Sequence, residues 1–564
     1  MVDESAARLL GLCDHFATSD SHARQIAGHL RLTADHVPAV AEMLDQLHEQ
    51  GLLLSERELV AELAAGGRGT IDPLEHLAIV TRDRGAALRR CIEHLELSSS
   101  RHGRRLSCVI SDDSDAPTAA ANHAMLAARS GPLSFSYADT SSKRKFASAL
   151  VAASGAPPEV IEFALFDPLG LGLTYGANRN AVLLHLAGER FLGIDDDVEL
   201  ELRGAGPVSP TLWVGREPAT TVHLAATLDE ALAQAPPSAG DPLAVIEQTL
   251  GRTIGQIAAD DPDDLRFDGL TTDTLNRLRL GHGRVAVSMF GLAGDPASPV
   301  MDVLVPERAA APHVWKLFVA AGGIPAERAA LSRITERRLG AGGGLVTAAA
   351  AFDHRTLLPP MMPVLRAEDF LFAAVLHRCD PGALIAHTPW MVTHRPAPPR
   401  AFDDVEALRQ DGVPQGTRGV IESALRHFSA PPGEMASRMR AMGAWLESLG
   451  RAPYGELATL VRPHLLAWLE RRIERIERVR AGAADAPPSW HRFAEAYLAA
   501  LRLTAQRDDL VLPTDLTAGR DDEAARVLLG TIIIQLGQLL QWWPALVASA
   551  IELRGRGTVL APAV

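Results

Sequence analysis

Lysine is almost absent. The 564-residue chain has three, Lys143, Lys145 and Lys316, and every other fixed cation is arginine. With the abundance of alanine and glycine, that bias reflects a GC-rich coding sequence rather than a chemical requirement. Cysteine is nearly as scarce. Cys13, Cys91, Cys108 and Cys379 are far apart and form no CxxC pair, which argues against a disulfide framework or a structural zinc site and fits a reducing compartment. The N-terminal sequence MVDESAARLLGLC lacks a basic region followed by an apolar core, so no signal peptide is expected and the chain reads as cytoplasmic. An excess of positive charge is lacking too: the formal net charge is −14, unsuited to a protein that works on nucleic-acid phosphates. Charge-free runs are short, with one exception. Residues 527–551 carry no charge over 25 positions, enough to span a bilayer. Gln535, Gln538 and Gln541 fall along it at helical spacing, and Gly530, Gly537 and Pro544 interrupt it. A buried helix pair broken near Trp543-Pro544 is therefore expected, rather than a membrane segment.

What is present points to a multidomain globular protein. The length exceeds what one core usually serves, so about two to four domains are expected. Residues 1–68 read as a small helical unit. Asp20 or Ser21 is placed to cap a helix through Leu30, Thr33 to cap a second through Gln50, and LLLSERELVAEL follows as a wing and closing helix. The pattern resembles a winged helix-turn-helix. Its recognition helix, however, would carry Asp35, Glu42, Asp45 and Glu49 and no cation, and residues 1–65 hold eleven carboxylates against four arginines. That excludes DNA binding and fits a peptide-docking or dimerisation surface, or a structural cap.

GGRGTIDP (residues 66–73) reads as a linker. Beyond it, short apolar runs (HLAIVT, RLSCVIS, LSFSYAD) alternate with helical patterns, the texture of an α/β domain with parallel strands, spanning 72–400. From residue 401 strands give way to charged amphipathic runs such as LLAWLERRIERIERVRAG, a helical domain over 401–564. No repeat of fixed period occurs.

Four motifs of the α/β stretch carry chemistry together. One strand ends in Thr81-Arg82-Asp83-Arg84 and another, CVISDDSD, runs into Asp112 and Asp113. Ligands of open α/β sheets bind beyond the carboxyl ends of strands, where a carboxylate accepts hydrogen bonds from a base edge or ribose; capping of the next helix is the competing use. In the third motif, GANRNAVLLHLAGERFLGIDDDVEL, a helix from Asn180 feeds a strand ending in Asp195-Asp196-Asp197. Three adjacent carboxylates repel one another, and Mg²⁺ or Mn²⁺ would relieve the repulsion and bridge a diphosphate. The fourth opens a helix with Glu368-Asp369 and continues through His387 to TPWMVTH, ending at His394.

The order VTRDR, ISDDSD, GANRN, IDDDV resembles the family 2 glycosyltransferases of GT-A fold. The resemblance implies a Rossmann-like nucleotide-sugar domain with a nucleotide-binding Asp after the second strand and a later DxD-type metal motif, a separation that Asp113 and Asp195 reproduce. Carried over, Asp112 or Asp113 would contact the nucleoside, with Thr81, Arg84 and Arg179 near the nucleotide. Asp195 and Asp197 would hold Mn²⁺ or Mg²⁺ and the diphosphate, and His394 would be a third ligand with His387 as competitor. Asp369 would be the base that activates the acceptor, Glu368 its neighbour and alternate. The chain departs from the family between residues 110 and 195, where SSKRKF replaces a compact NxGxxxARN run, and over 201–345, which is longer than the family minimum. Lys143, Arg144 and Lys145 of that run read as a solvated basic helix start.

The implied activity is metal-dependent, inverting transfer from a nucleotide-sugar, with a UDP-sugar as the donor. The acceptor is unidentified; a peptide delivered by the N-terminal unit is one reading. Nucleotidyl transfer is the enzymatic alternative, disfavoured because TRDRGAALRR is not a glycine-rich loop. A non-enzymatic nucleotide- or peptide-binding protein on a GT-A scaffold is the other, disfavoured by the intact DDD and ED motifs.

Overall fold

A computed structural model describes residues 10–13, 15–216, 220–297, 301–340, 344–402 and 416–564. Its centre is a mixed α/β body built on one thirteen-stranded sheet. β1 (His76–Thr81) and β2 (Leu106–Asp112) are apolar almost throughout and buried on both faces, as parallel strands between helices must be. They lie parallel to each other and to β3 (Leu133–Ala138) and β4 (Arg190–Asp195) in the order β3-β2-β1-β4. Helices Gly85–His102 and Ala116–Ala127 make the first two crossovers. Thr140–Ser154, Pro158–Leu165 and Tyr175–His185 make the third.

The chain then adds β5 (Val198–Arg203), β6 (Leu212–Gly215), β7 (Thr221–Ala225), β8 (Leu265–Asp268), β9 (Arg284–Gly294), β10 (Ala329–Arg333), β11 (Arg337–Gly340), β12 (Ala349–Asp353) and β13 (Ala383–His394). The sheet continues from β4 through β12, β9, β13, β11 and β6 to β8. β12 is antiparallel to both β4 and β9, and β9 is parallel to β13. The carboxyl ends of β1, β2, β4, β9 and β13 therefore point the same way. At one edge the last residues cover β3: Tyr137 N–H donates to Pro562 O and Val564 N–H to Phe135 O, each at 3.0 Å, which spares an open strand edge.

The structure departs from the sequence-based expectations at both ends of the chain. The N-terminal unit is three helices, Ser19–His29, Val37–Glu49 and Glu56–Ala64, and no wing strand forms among its described residues. The LLL run is followed directly by Ser55, which caps the third helix through a reciprocal box with Glu58. Nor is the unit free-standing. Leu59, Val60 and Leu63 share a core with Leu212, Phe267 and Ile257, and the supposed linker is docked, Arg68 donating to Ala259 O at 3.1 Å.

Residues 527–551, finally, lie in one unbroken helix, Asp522–Gly555, with Pro544 inside it. It is long and apolar enough to cross a membrane, yet Ile532, Ile533, Leu540, Trp543 and Leu546 are fully buried within the protein. Gln538 and Gln541 donate to Glu447 of helix Met435–Arg451. Gly443 and Gly450 meet Gly537 and Gly530 so closely that a Cβ on Gly443 would stand 2.4 Å from Gly537 O. The other faces of the long helix pack on Thr140–Ser154, Pro158–Leu165 and Tyr175–His185, so the residues read as a separate C-terminal domain share the core of the sheet.

Candidate functional site

The GANRN motif forms the first turns of helix Tyr175–His185 and ties the strand ends together residue by residue. Gly176 lets the helix approach the 362–368 segment: a Cβ there would lie 1.7 Å from Met362 O. Asn178 donates to Thr81 O (3.2 Å) and Ser111 O (2.9 Å), joining the ends of β1 and β2, while Asn180 holds Ala164 O and Met361. Between them Arg179 reaches Asp195 Oδ1 with Nη2 (2.5 Å) and Glu368 Oε1 with Nη1 (2.7 Å). Burial works against its charge, but Asp195, Glu368 and Asp369 more than offset it and raise its pKa.

The two carboxylates after β2 have different roles. Asp112 is 0% exposed and serves the interior, accepting from Ser114 N–H, Asn122 Nδ2 and Tyr137 Oη. This corrects its candidacy for the nucleotide, since it has no surface to offer. The helix cap expected of the pair is supplied by Asp115 instead. Asp113 is 12% exposed, accepts from Thr174 Oγ1 at 3.1 Å and is ion-paired with Lys143. Lys143 is therefore not part of a solvated basic turn: it is 1% exposed, one helical turn inside Thr140–Ser154. Arg144 matches the solvated reading, half-exposed over the Phe166 ring.

The strand-end triad is neutralised by side chains, so its mutual repulsion does not by itself demand a cation. Asp195, 28% exposed, turns to Arg179. Asp196 accepts from Thr81 Oγ1 (2.7 Å) and Arg84 (2.7 Å). Burial and the adjacent Asp197 charge push its pKa up to about 7. Thr81 and Arg84 thus serve the triad rather than an open nucleotide pocket. Asp197, 1% exposed, meets Arg84 (2.9 Å), Arg400 (3.5 Å) and His394 Nε2 (3.0 Å). Burial would raise its pKa, but His394 and the two arginines draw it far below the usual carboxylate range.

His394 donates Nδ1–H to Asp295 O at 2.7 Å, which directs Nε2 at Asp197. Both ring nitrogens of His394 are therefore engaged by protein groups, and against the effect of burial Asp197 raises its pKa. Asp195 does not join this pair, and among the described residues no three His, Cys, Asp or Glu side chains converge as a ligand set. His387, the competitor, lies midway along β13, seven residues before His394, and has no contact with the triad among the described residues. Sequence reasoning missed Asp295 and Arg400. Asp295 follows β9, forms a paired contact with Arg328 and is positioned by Gly294, whose Cβ would strike His394 O at 2.4 Å.

On the other side of Arg179, Leu365 and Ala367 hold left-handed backbone (φ 70° and 64°), a strained entry to helix Glu368–Cys379 of the kind that collects at working sites. Glu368 is buried on Arg179. Asp369 is partly exposed, and burial together with the Glu368 charge pushes its pKa up to about 7. No protein-family model and no curated protein sequence matches this chain.

Proposed function

We propose that the chain is a glycosyltransferase of GT-A type that moves a sugar from a nucleotide-sugar, taken here as a UDP-sugar, to an acceptor hydroxyl with inversion. The observation that carries the reading is Arg179, whose two nitrogens bind Asp195 on the donor side and Glu368, next to Asp369, on the other. An open α/β sheet with Asp113, Asp195 and Asp197 at its carboxyl ends is where a nucleotide diphosphate would bind.

Asp113, ion-paired with Lys143, accepts hydrogen bonds from the nucleoside. Arg84 and Arg400 stand at the buried Asp197 with charge to share with a diphosphate. Asp197 and His394 would hold a divalent cation, Mn²⁺ ahead of Mg²⁺ because one donor is nitrogen. When bound, that ion stabilises the leaving diphosphate. Asp369 takes the acceptor proton as the anomeric bond forms, and a base with a pKa of about 7 is matched to that task at neutral pH.

Thermal shift with UDP, GDP, ADP and CDP, each with and without Mn²⁺, tests the donor side, and a panel of nucleotide-sugars screened for hydrolysis tests the reaction. Stabilisation by one nucleoside diphosphate with turnover of its sugar is expected. A protein indifferent to every nucleotide, with or without cation, overturns the proposal.

A further inference from the structure

The sheet changes character midway along β13. His387 pairs with Met289 of β9 and Met391 with Gly291, so four steps on one strand match two on the other, and Thr388, Pro389 and Trp390 form the bulge. Bulges re-aim side chains and gather at working sites. Beside this one lies a cavity of about 270 Å³, lined among others by His387, Trp390, Arg337, Ser209, Val245 and Leu212. Its walls include β6 and β11, which belong to the stretch 201–345 that the nucleotide motifs leave without a role.

One of these groups lacks the partner that burial ordinarily provides, and a second has donors to spare. His387 is 8% exposed, and its Nε2 has no hydrogen-bond partner among the described residues. Burial lowers its pKa to about 4, so the ring is neutral at pH 7. Arg337 donates Nη1–H to Pro210 O at 3.0 Å and has no carboxylate in ion-pair contact among the described residues. Burial lowers its pKa, with only the more distant Asp261 and Asp264 acting the other way. The adjacent Arg338 is different, already paired with Asp268 at 2.9 Å.

We propose that this cavity binds a small organic carboxylate with an apolar body, its head on Arg337 and its body against Trp390, Val245 and Leu212. The planar guanidinium fork matches a carboxylate in size and geometry. A neutral His387 in its Nε2–H tautomer supplies one further donor without adding charge, which suits a monoanion better than a phosphate. The volume holds roughly nine waters, somewhat less than a drug-sized pocket, so the ligand is small. The site lies midway along β13, at the bulge, and does not depend on the transferase reading.

Hydrocinnamate and its uncharged counterpart hydrocinnamyl alcohol, titrated into the full-length protein by calorimetry, provide the test. The acid is expected to bind saturably at one site, and the alcohol at least roughly tenfold more weakly, the loss of a charge-assisted contact. Arg337→Gln should weaken the acid by a similar factor. Ser209→Trp, a change on the loop before β6, should abolish binding by filling the cavity without altering a strand. Unfolding midpoints of both variants, taken alongside, show that the fold persists. Equal binding of acid and alcohol, acid binding unchanged in the two variants, or no saturable binding by the wild-type protein overturns the proposal.

Discussion

Arg179 and Glu368, 189 residues apart in sequence, meet at 2.7 Å. The contact depends on how closely helix Tyr175–His185 approaches the segment before Glu368, and Gly176 sets that approach. Gly176→Ala places a methyl 1.7 Å from Met362 O, with Glu368 Cβ at 3.2 Å. Backbone cannot yield as a flexible side chain does, so a loss of about 3 kcal/mol or more is expected, read by denaturant unfolding. A variant as stable as wild type would mean that the helix sits further out.

Asp369→Asn should lower turnover by roughly 10²- to 10⁴-fold, the usual contribution of a positioned base, while binding of UDP with Mn²⁺ stays near wild type. For the proposed transfer by the wild-type protein, kcat/KM should rise with pH to a plateau, with its midpoint near the Asp369 pKa of about 7. Stability should move the other way. A carboxyl whose folded pKa is raised binds its proton more tightly folded than unfolded. Its stabilising contribution is full below the unfolded value near 3.8 and is lost as pH rises through about 7. Asparagine lacks this dependence, so the variant's gain in unfolding midpoint relative to wild type should be larger at pH 8 than at pH 5. Full turnover by the Asn variant would direct attention to Glu368.

The cation assignment separates two carboxylates that the motif alone treats alike. Asp197→Ala removes the partner of His394 and should abolish the Mn²⁺ dependence of UDP binding measured by calorimetry. Asp195→Ala frees Arg179 but leaves Asp197 and His394 in place, so the Mn²⁺ dependence should persist with altered affinity. The same loss in both variants would put Asp195 on the ion; no change in either would remove the ion from this site.

Truncation at residue 68 tests whether the N-terminal unit can be detached. The cut would strip Leu59, Val60 and Leu63 from a core that includes Leu212, Phe267 and Ile257. The shortened protein should unfold at lower temperature and aggregate. Leu59→Ala alone should cost about 2–5 kcal/mol. A truncated protein with an unchanged melting curve would restore the independent-domain view.

The α/β texture was legible because strands β1 and β2 are continuous apolar runs with long helices between them, and local pattern dictates both. The strand ends at Thr81, Asp112 and Asp195 were legible for the same reason. Which carboxylate faces outward was not. Asp112 and Asp113 are adjacent and chemically identical, and only their packing, one against Asn122 and Tyr137, the other beside Lys143, distinguishes them. Lys143 reads as solvent-facing beside Arg144 and Lys145 because sequence does not reveal a carboxylate waiting in a neighbouring strand. Pro544 signals a helix break, yet packing along Asp522–Gly555 outweighs its local cost. The counter-charges of the aspartate triad come from Arg84, Arg179 and Arg400, more than 200 positions apart at the extremes, and no local pattern announces such a group.

The close contact of Gly443 and Gly450 with Gly537 and Gly530 has a mechanical consequence. Backbones this near cannot slide or roll past one another, so the long terminal helix is held in one register. That helix packs behind Thr140–Ser154, which carries Lys143, and behind Tyr175–His185, which carries Arg179; its Arg554 also grips His185 O and Ala187 O at the far end of the latter. It is a keel for the strand ends: a rod that fixes the spacing between Lys143, the partner of Asp113, and Arg179, which joins Asp195 to Glu368. Freedom to move is then left to the opposite side, where the strained entry at Leu365 and Ala367 leads into Glu368 and Asp369.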